Sequence, residues 1–252
     1  MGLSISYTNV LIDQVPTITN SGTGETPANL SDPDHSLNYT CGTNVSDFSI
    51  SYGAQSNISY VAVSGHNGAD GGNIMVAIFD GLDFIQLILP VVRNNNLMFS
   101  FVEQDFTDLI IKFLPLPSGP PLTKEITVSF IAAGQHFDIE TGEQAGYKRL
   151  WLMRQLQQRT TTNMQAAPVS SLQKPKALKG SLTLPNTDLS FTMDEWQDFI
   201  DFTFEQPFFI KERVNDPSST YICFDAKHDI AAHPQTRKLN AVKLSFNAFN
   251  GL

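Results

Sequence analysis

Between residues 47 and 134 the chain repeats one pattern, an apolar or alternating run of strand length followed by a polar turn. The runs are DFSISYG, SNISYVAVSG, NIMVAIFDG, FIQLILPVV, NLMFSFVE, DLIIKFLPL and EITVSFIAAG. Each is rich in the β-branched and aromatic residues that fit a pleated surface, and their spacing predicts a β-sandwich. SYVAVSG and IMVAIF are apolar on both alternations, as central strands are, whereas LMFSFVE alternates and suits a half-exposed position. Upstream, Leu3 to Val10 reads as a short strand, and NSGTGETPANLSDPDHS has no apolar period and predicts a long loop. The four prolines of PLPSGPPLTKE, residues 115 to 125, place that stretch on a loop at one end of the sandwich.

After Gly134 the pattern breaks, so the first domain is expected to span residues 1–140 and a connector residues 141–180, with a short helix or irregular strand around Trp151 to Gln157. A smaller β-rich domain, 181–252, follows. It holds one amphipathic helix at about 192–205, with Thr192 and Glu195 spaced as a capping box. Trp196, Phe199, Ile200 and Phe204 form its apolar stripe, expected to pack on a sheet, while Asp194, Asp198, Asp201 and Glu205 face water and Pro207 ends it. FFIKE, STYICF and LNAVKLSFNAF read as the strands beneath. The expected fold is therefore mainly β.

Charge adds an asymmetry that hydropathy does not show. Residues 1–147 carry three bases against 15 acids, a net of −12, and the remainder 13 bases against 10 acids, a net of +3. Lys148, Arg149, Arg154, Arg159, Lys174, Lys176 and Lys179 fall within residues 148–180, which contain no Asp or Glu. Such a block seeks a negative partner. The expected partner is the acidic first domain of a neighbouring copy, with Trp151, Leu152 and Met153 supplying apolar contact; the alternative is folding back onto the chain's own first domain. A net charge of −9 argues against nucleic acid. No apolar run approaches the roughly 20 residues a membrane span needs, and no signal peptide is seen. Cys41 and Cys223 are too few for a disulfide framework and suggest folding in a reducing cytoplasm. Asn29, Asn38, Asn44 and Asn57 each open an N-x-S/T triplet, read as ordinary surface composition.

No HExxH, GxSxG, P-loop or CxxC occurs, so no catalytic residue, cofactor or enzymatic activity is expected. The glycine-rich SGHNGADGGN precedes a strand rather than a helix, the wrong setting for a phosphate cradle, and reads as a hairpin or bulge loop. His35, His66, His136, His228 and His233 do not converge on a metal, and KHDIAAHPQT reads as an exposed loop. Asp32/Asp34 and Glu103/Asp105 lack a visible apolar pocket to split their pKa values, and Asp70 or Asp80 offers too few carboxylates for calcium. Glycan binding has candidates in His66, Asn67 and Asp70, although their loop carries no aromatic platform.

The segments YGAQSNISYVAVSGHNGADGGNIMVAIFDG and FEQPFFIKERVNDPSSTYICFDA, with LNAVKLSFNAFNGL, resemble minor virion proteins of tailed bacteriophages. The first is similar to galactose-binding-like jelly-roll modules, and the second to the domain by which tail-tip ring components join their neighbours. Together they cover most of residues 45–135 and 185–252. The resemblance implies a structural subunit of a distal-tail or baseplate ring, assembled in the host cytoplasm through homo-oligomeric and other tail-protein contacts. The alternative is a carbohydrate-binding module that touches the host surface.

Overall fold

The computed structural model describes residues 2–19, 26–34, 37–41, 47–71, 74–88, 91, 93–115, 125–139, 147, 149–150, 156–162, 168–175, 178–232 and 239–250. The strands up to the middle of the chain are β1 (Leu3–Ser6), β2 (Thr17–Thr19), β3 (Tyr39–Thr40), β4 (Phe48–Ser51), β5 (Gln55–Ser64), β6 (Ile74–Asp80), β7 (Asp83–Ile88), β8 (Leu97–Phe106), β9 (Leu109–Pro115), β10 (Thr127–Val128), β11 (Phe130–Gly134) and β12 (His136–Ile139). Then come β13 (Leu156–Thr162), β14 (Pro168–Pro175), β15 (Leu178–Asp188), helices α1 (Leu189–Met193) and α2 (Glu195–Glu205), β16 (Phe208–Lys211), β17 (Thr220–Ala232) and β18 (Leu239–Phe249). The chain is mainly β, as its pattern predicts. No helix among the described residues is long and apolar enough to cross a membrane.

Two antiparallel sheets, β2-β4-β9-β6-β7 and β11-β5-β8, face each other as the predicted sandwich. Phe48, Ile50, Val76, Ile78, Ile111 and Phe113 meet Val61, Val63, Leu97, Phe99, Ile131 and Ala133 in its core. A third antiparallel sheet, β12-β1-β16-β17-β18-β15, lies behind the three-stranded one. Its inner face contributes Phe209 and Ile222 to a core with Tyr60, Ala62, Met98, Phe130 and Ala132. Its outer face packs Leu3, Ile5, Phe208, Ile210 and Leu244 under Trp196 and Phe199 of α2. The layers are thus sheet, sheet, sheet, helix. This is why β5 is apolar on both alternations: successive side chains face different cores, and each core must be dry.

Three expectations need correction. The sheets do not divide at residue 140, because β1 and β12 both belong to the third sheet, with Leu3 opposite Ile139 and Ser4 opposite Lys211. Four-residue strands such as LSIS carry too little pattern to name so distant a partner. The connector holds a hairpin, β13 against β14, which forms a two-stranded sheet of its own. Trp151 to Gln155 lie outside the described residues, as does most of the proline-rich loop at 115–125. The capping box does not form: Thr192 sits within α1, α2 begins after Asp194, and Asp194 makes no side-chain cap.

Trp196 and Phe199 are fully buried, with ring centroids 5.1 Å apart, but Phe204 is 75% exposed. At about 100° per residue, Phe204 lies roughly 140° around the helix from Phe199, at the edge of the stripe rather than on it. KHDIAAHPQT is strand as far as Ala232, and His228 turns inward beneath α2, its ring 5.8 Å from that of Trp196. Gly180 permits the close approach of β15 to β18, since a Cβ there would stand 2.2 Å from a ring carbon of Phe246. Trp196→Ala is expected to cost about 3–5 kcal/mol in urea unfolding. Phe204→Ala should stay within about 0.5 kcal/mol. Equal losses would show that α2 does not pack in this way.

Candidate functional site

Where α2 ends, the third sheet is left partly uncovered. Pro207 cannot continue the helix, and Gln206 adopts extended backbone while its N–H still reaches the Phe202 carbonyl at 3.0 Å. Opposite this end, the β17–β18 ladder slips between Phe224 and Lys227, and Asp225 takes a left-handed φ of 55°. Such a bulge re-aims side chains, here those of Phe224 and Asp225. Asn96 holds the end of β18, donating from Nδ2 to the Phe249 carbonyl at 2.8 Å and accepting from Ser64 Oγ at 2.7 Å.

The result is an open cavity of about 590 Å³ between the helix end, the bulge, the end of β18 and a loop of the sandwich. Phe204, Phe224, Phe249, Ile222, Pro33 and Pro207 supply its apolar surface, and Thr203, Glu205, Gln206 and Asp225 its polar groups. Phe224 is 38% exposed, so two aromatic side chains are open to solvent. Asp225 Oδ2 accepts from Asn247 at 2.8 Å, and Thr203 Oγ1 donates to the Ile200 carbonyl at 2.9 Å and lies 2.8 Å from His228 Nε2. Gln206 Oε1 is buried without a hydrogen-bond partner among the described residues. Burial without a partner costs a polar atom free energy unless a ligand or water completes it.

The glycan candidates named from sequence sit in a turn where their polar groups have partners within the chain. His66 is fully buried beside Phe113, and its Nδ1 accepts the Gly68 N–H at 3.2 Å. Asn67 is committed at both ends, donating to the Glu125 carbonyl at 3.0 Å and accepting from the Thr127 N–H at 2.8 Å. Asp70 accepts from Asn94 Nδ2 at 3.0 Å. Together they tie the loop after β5 to the strands around it.

The candidate interface residues are dispersed. Lys148, Trp151, Arg154 and Lys176 lie outside the described residues. Arg149 is half-buried and its charge acts on Glu212, a buried carboxylate that accepts from Tyr147 at 2.8 Å. Lys179 is exposed on β15, an edge strand, while Arg159 and Lys174 occupy the hairpin, where Gln157 opposes Lys174 and Arg159 opposes Leu172. That register puts positions 159 and 174 on one face.

Sequence spacing missed one further grouping. Ser59 Oγ lies 2.7 Å from His136 Nδ1, and His136 Nε2 lies 3.6 Å from Asp138, which also accepts from Ser4 at 2.6 Å. Its chemistry is structural: the Ser59 hydroxyl is buried and also accepts the His136 backbone N–H at 2.9 Å. Burial also pulls the imidazole below its ordinary pKa, with Asp138 opposing that shift. Lys211, whose ammonium donates to Ser100 of the middle sheet, is buried nearby, and desolvation lowers it to about 8.

No protein-family model matches the chain, and no curated protein matches it. Its likenesses are to solved structures. One is CpGH89CBM32-5 from Clostridium perfringens, in complex with GalNAc-β-1,3-galactose: 15% identity over 48% of this chain and 94% of that one, TM-score 0.36. A chitosan-binding module from a chitosanase/glucanase of Paenibacillus sp. IK-5 gives 9% over 51% and 99%, TM-score 0.39. A pectin-binding carbohydrate-binding module gives 16% over 52% and 93%, TM-score 0.36.

The buried His66 sets a pH response. Desolvation lowers it from 6.5 to about 4, so between those values the unfolded chain binds a proton that the fold refuses. Stability therefore falls as pH falls through this window. His66→Gln should reduce the acid slope in urea unfolding by up to about 1.4 kcal/mol per pH unit. An unchanged slope would mean that His66 is not held neutral.

Proposed function

We propose that this protein is a non-catalytic carbohydrate-binding protein whose site is the groove at the end of α2. The observation that carries this reading is the pairing of solvent-open aromatic side chains, Phe204 and Phe224, with the polar residues Thr203, Glu205, Gln206 and Asp225 in one cavity. Sugars present an apolar ring face and a rim of hydroxyls, and a site that recognises them needs an aromatic platform beside fixed hydrogen-bonding groups. The His66 loop has no such platform and its polar groups are already engaged. The full chain should score on a glycan array. For any hit, Phe204→Ala or Phe224→Ala should weaken binding tenfold or more in calorimetry, about 1.4 kcal/mol, while melting stays near that of the parent. A blank array, or hits indifferent to both variants, would contradict the proposal.

A second reading is self-assembly into a ring, for which a different observation speaks; the phage tail tip is what the sequence resemblance alone implies. β7 and β8 are edge strands that lie together, Gln86 Nε2 reaching the Ser100 carbonyl at 2.7 Å. Val102 on β8 is 87% exposed and Leu82, in the turn that leads into β7, 96%, with Phe84 also open, among the exposed acids Asp83, Glu103 and Asp105. An acidic, apolar edge complements the acid-free hairpin, and a contact between unlike surfaces of identical chains closes into rings when the rotation allows. Arg159→Glu with Lys174→Glu should abolish higher oligomers in light scattering and leave the monomer's melting temperature nearly unchanged. Oligomers that survive the reversal, or a chain that is monomeric throughout, would remove this reading.

A further inference from the structure

We infer that the groove selects a saccharide bearing an unacylated, protonated amine, an inference that rests on the carbohydrate-binding reading and adds its ligand class. The polar surface of the groove is one-sided. Glu205 and Asp225 stand at it, and among the described residues no lysine, arginine or histidine lines it. Asn247 fixes the Asp225 carboxylate by a 2.8 Å bond to Oδ2, so the charge has a set position. The Thr203 hydroxyl donates inward to the Ile200 carbonyl and so offers no proton to a ligand. A site whose open positions are acceptors asks for donors. A neutral sugar hydroxyl supplies one donor and brings acceptors that need partners of their own. An ammonium supplies three donors, requires no acceptor and carries the charge that two carboxylates complement. The exposed faces of Phe204 and Phe224 add attraction for a cation and stacking for the sugar ring that bears it.

The test compares three β-1,4-linked tetrasaccharides on the full chain by calorimetry at physiological ionic strength: glucosamine, its fully N-acetylated counterpart, and glucose. The glucosamine tetramer should bind at least tenfold more tightly than the other two. Glu205→Gln with Asp225→Asn should erase that preference, and Phe204→Ala with Phe224→Ala should erase the binding, both variants melting near the parent. Equal or better binding of the acetylated or neutral tetramer would overturn the amine inference and leave the carbohydrate reading standing. A glucosamine preference that survives the carboxylate variant, or glucosamine binding that survives the aromatic one, would be general attraction to an acidic protein, and would also overturn it. Failure of all three tetramers, together with a blank array, would overturn both.

Discussion

The middle sheet, β11-β5-β8, is apolar on both faces, and the rest of the molecule is arranged to cover it twice. Val61 and Val63 turn to the sandwich while Tyr60 and Ala62 turn to the third sheet, where the rings of Phe130 and Phe209 stack with centroids 6.1 Å apart. Burying a large apolar side chain of this kind is worth about 1.5–3 kcal/mol, so leaving either face open would forfeit much of a domain's net stability. Polar bonds then fix the register of the two layers. Asn96 reaches the Phe249 carbonyl, Asn95 Nδ2 reaches the Ser218 carbonyl at 3.3 Å, the Met98 N–H reaches the Pro217 carbonyl at 3.0 Å, and Lys211 reaches Ser100.

The groove is a consequence of this layering. Ile222 belongs both to the core between the sheets and to the groove wall, and Phe249 packs against that core while facing the cavity. The site therefore forms where the interlayer contact runs out, at the point where Pro207 stops α2 and the Asp225 bulge turns β17 aside. The proposed binding surface is anchored in two cores, and a preorganised surface loses little entropy when a ligand settles on it.

Much of this was legible before any coordinates. Seven apolar runs predicted the sandwich strands, and the last, EITVSFIAAG, is interrupted at Ser129 into β10 and β11. The double apolar alternation of SYVAVSG announced a strand covered on both sides, but the identity of its second cover was hidden, because pairing β1 with residues 130 to 136 positions away leaves no local trace. Phe204 was misread as core for a geometric reason. A +8 spacing drifts about 80° from Trp196, which the last turn of a helix can turn to solvent once the sheet beneath it bends away. The His66 loop reads by composition as a polar hairpin or bulge loop, whereas the imidazole is buried and neutral and the Asn67 amide serves two backbone groups. Nothing in sequence spacing could join Phe204, Phe224 and Phe249, since the bulge that aligns them appears only in the strand register.

The most direct test of the groove as the binding site is hydrogen exchange of the intact chain with and without a saturating glycan. The account predicts slowed exchange confined to residues 203–206, 222–226 and 249, in the helix end, the bulge and the end of β18 that line the groove. Protection centred on residues 66–70 instead, with the groove unchanged, would contradict it.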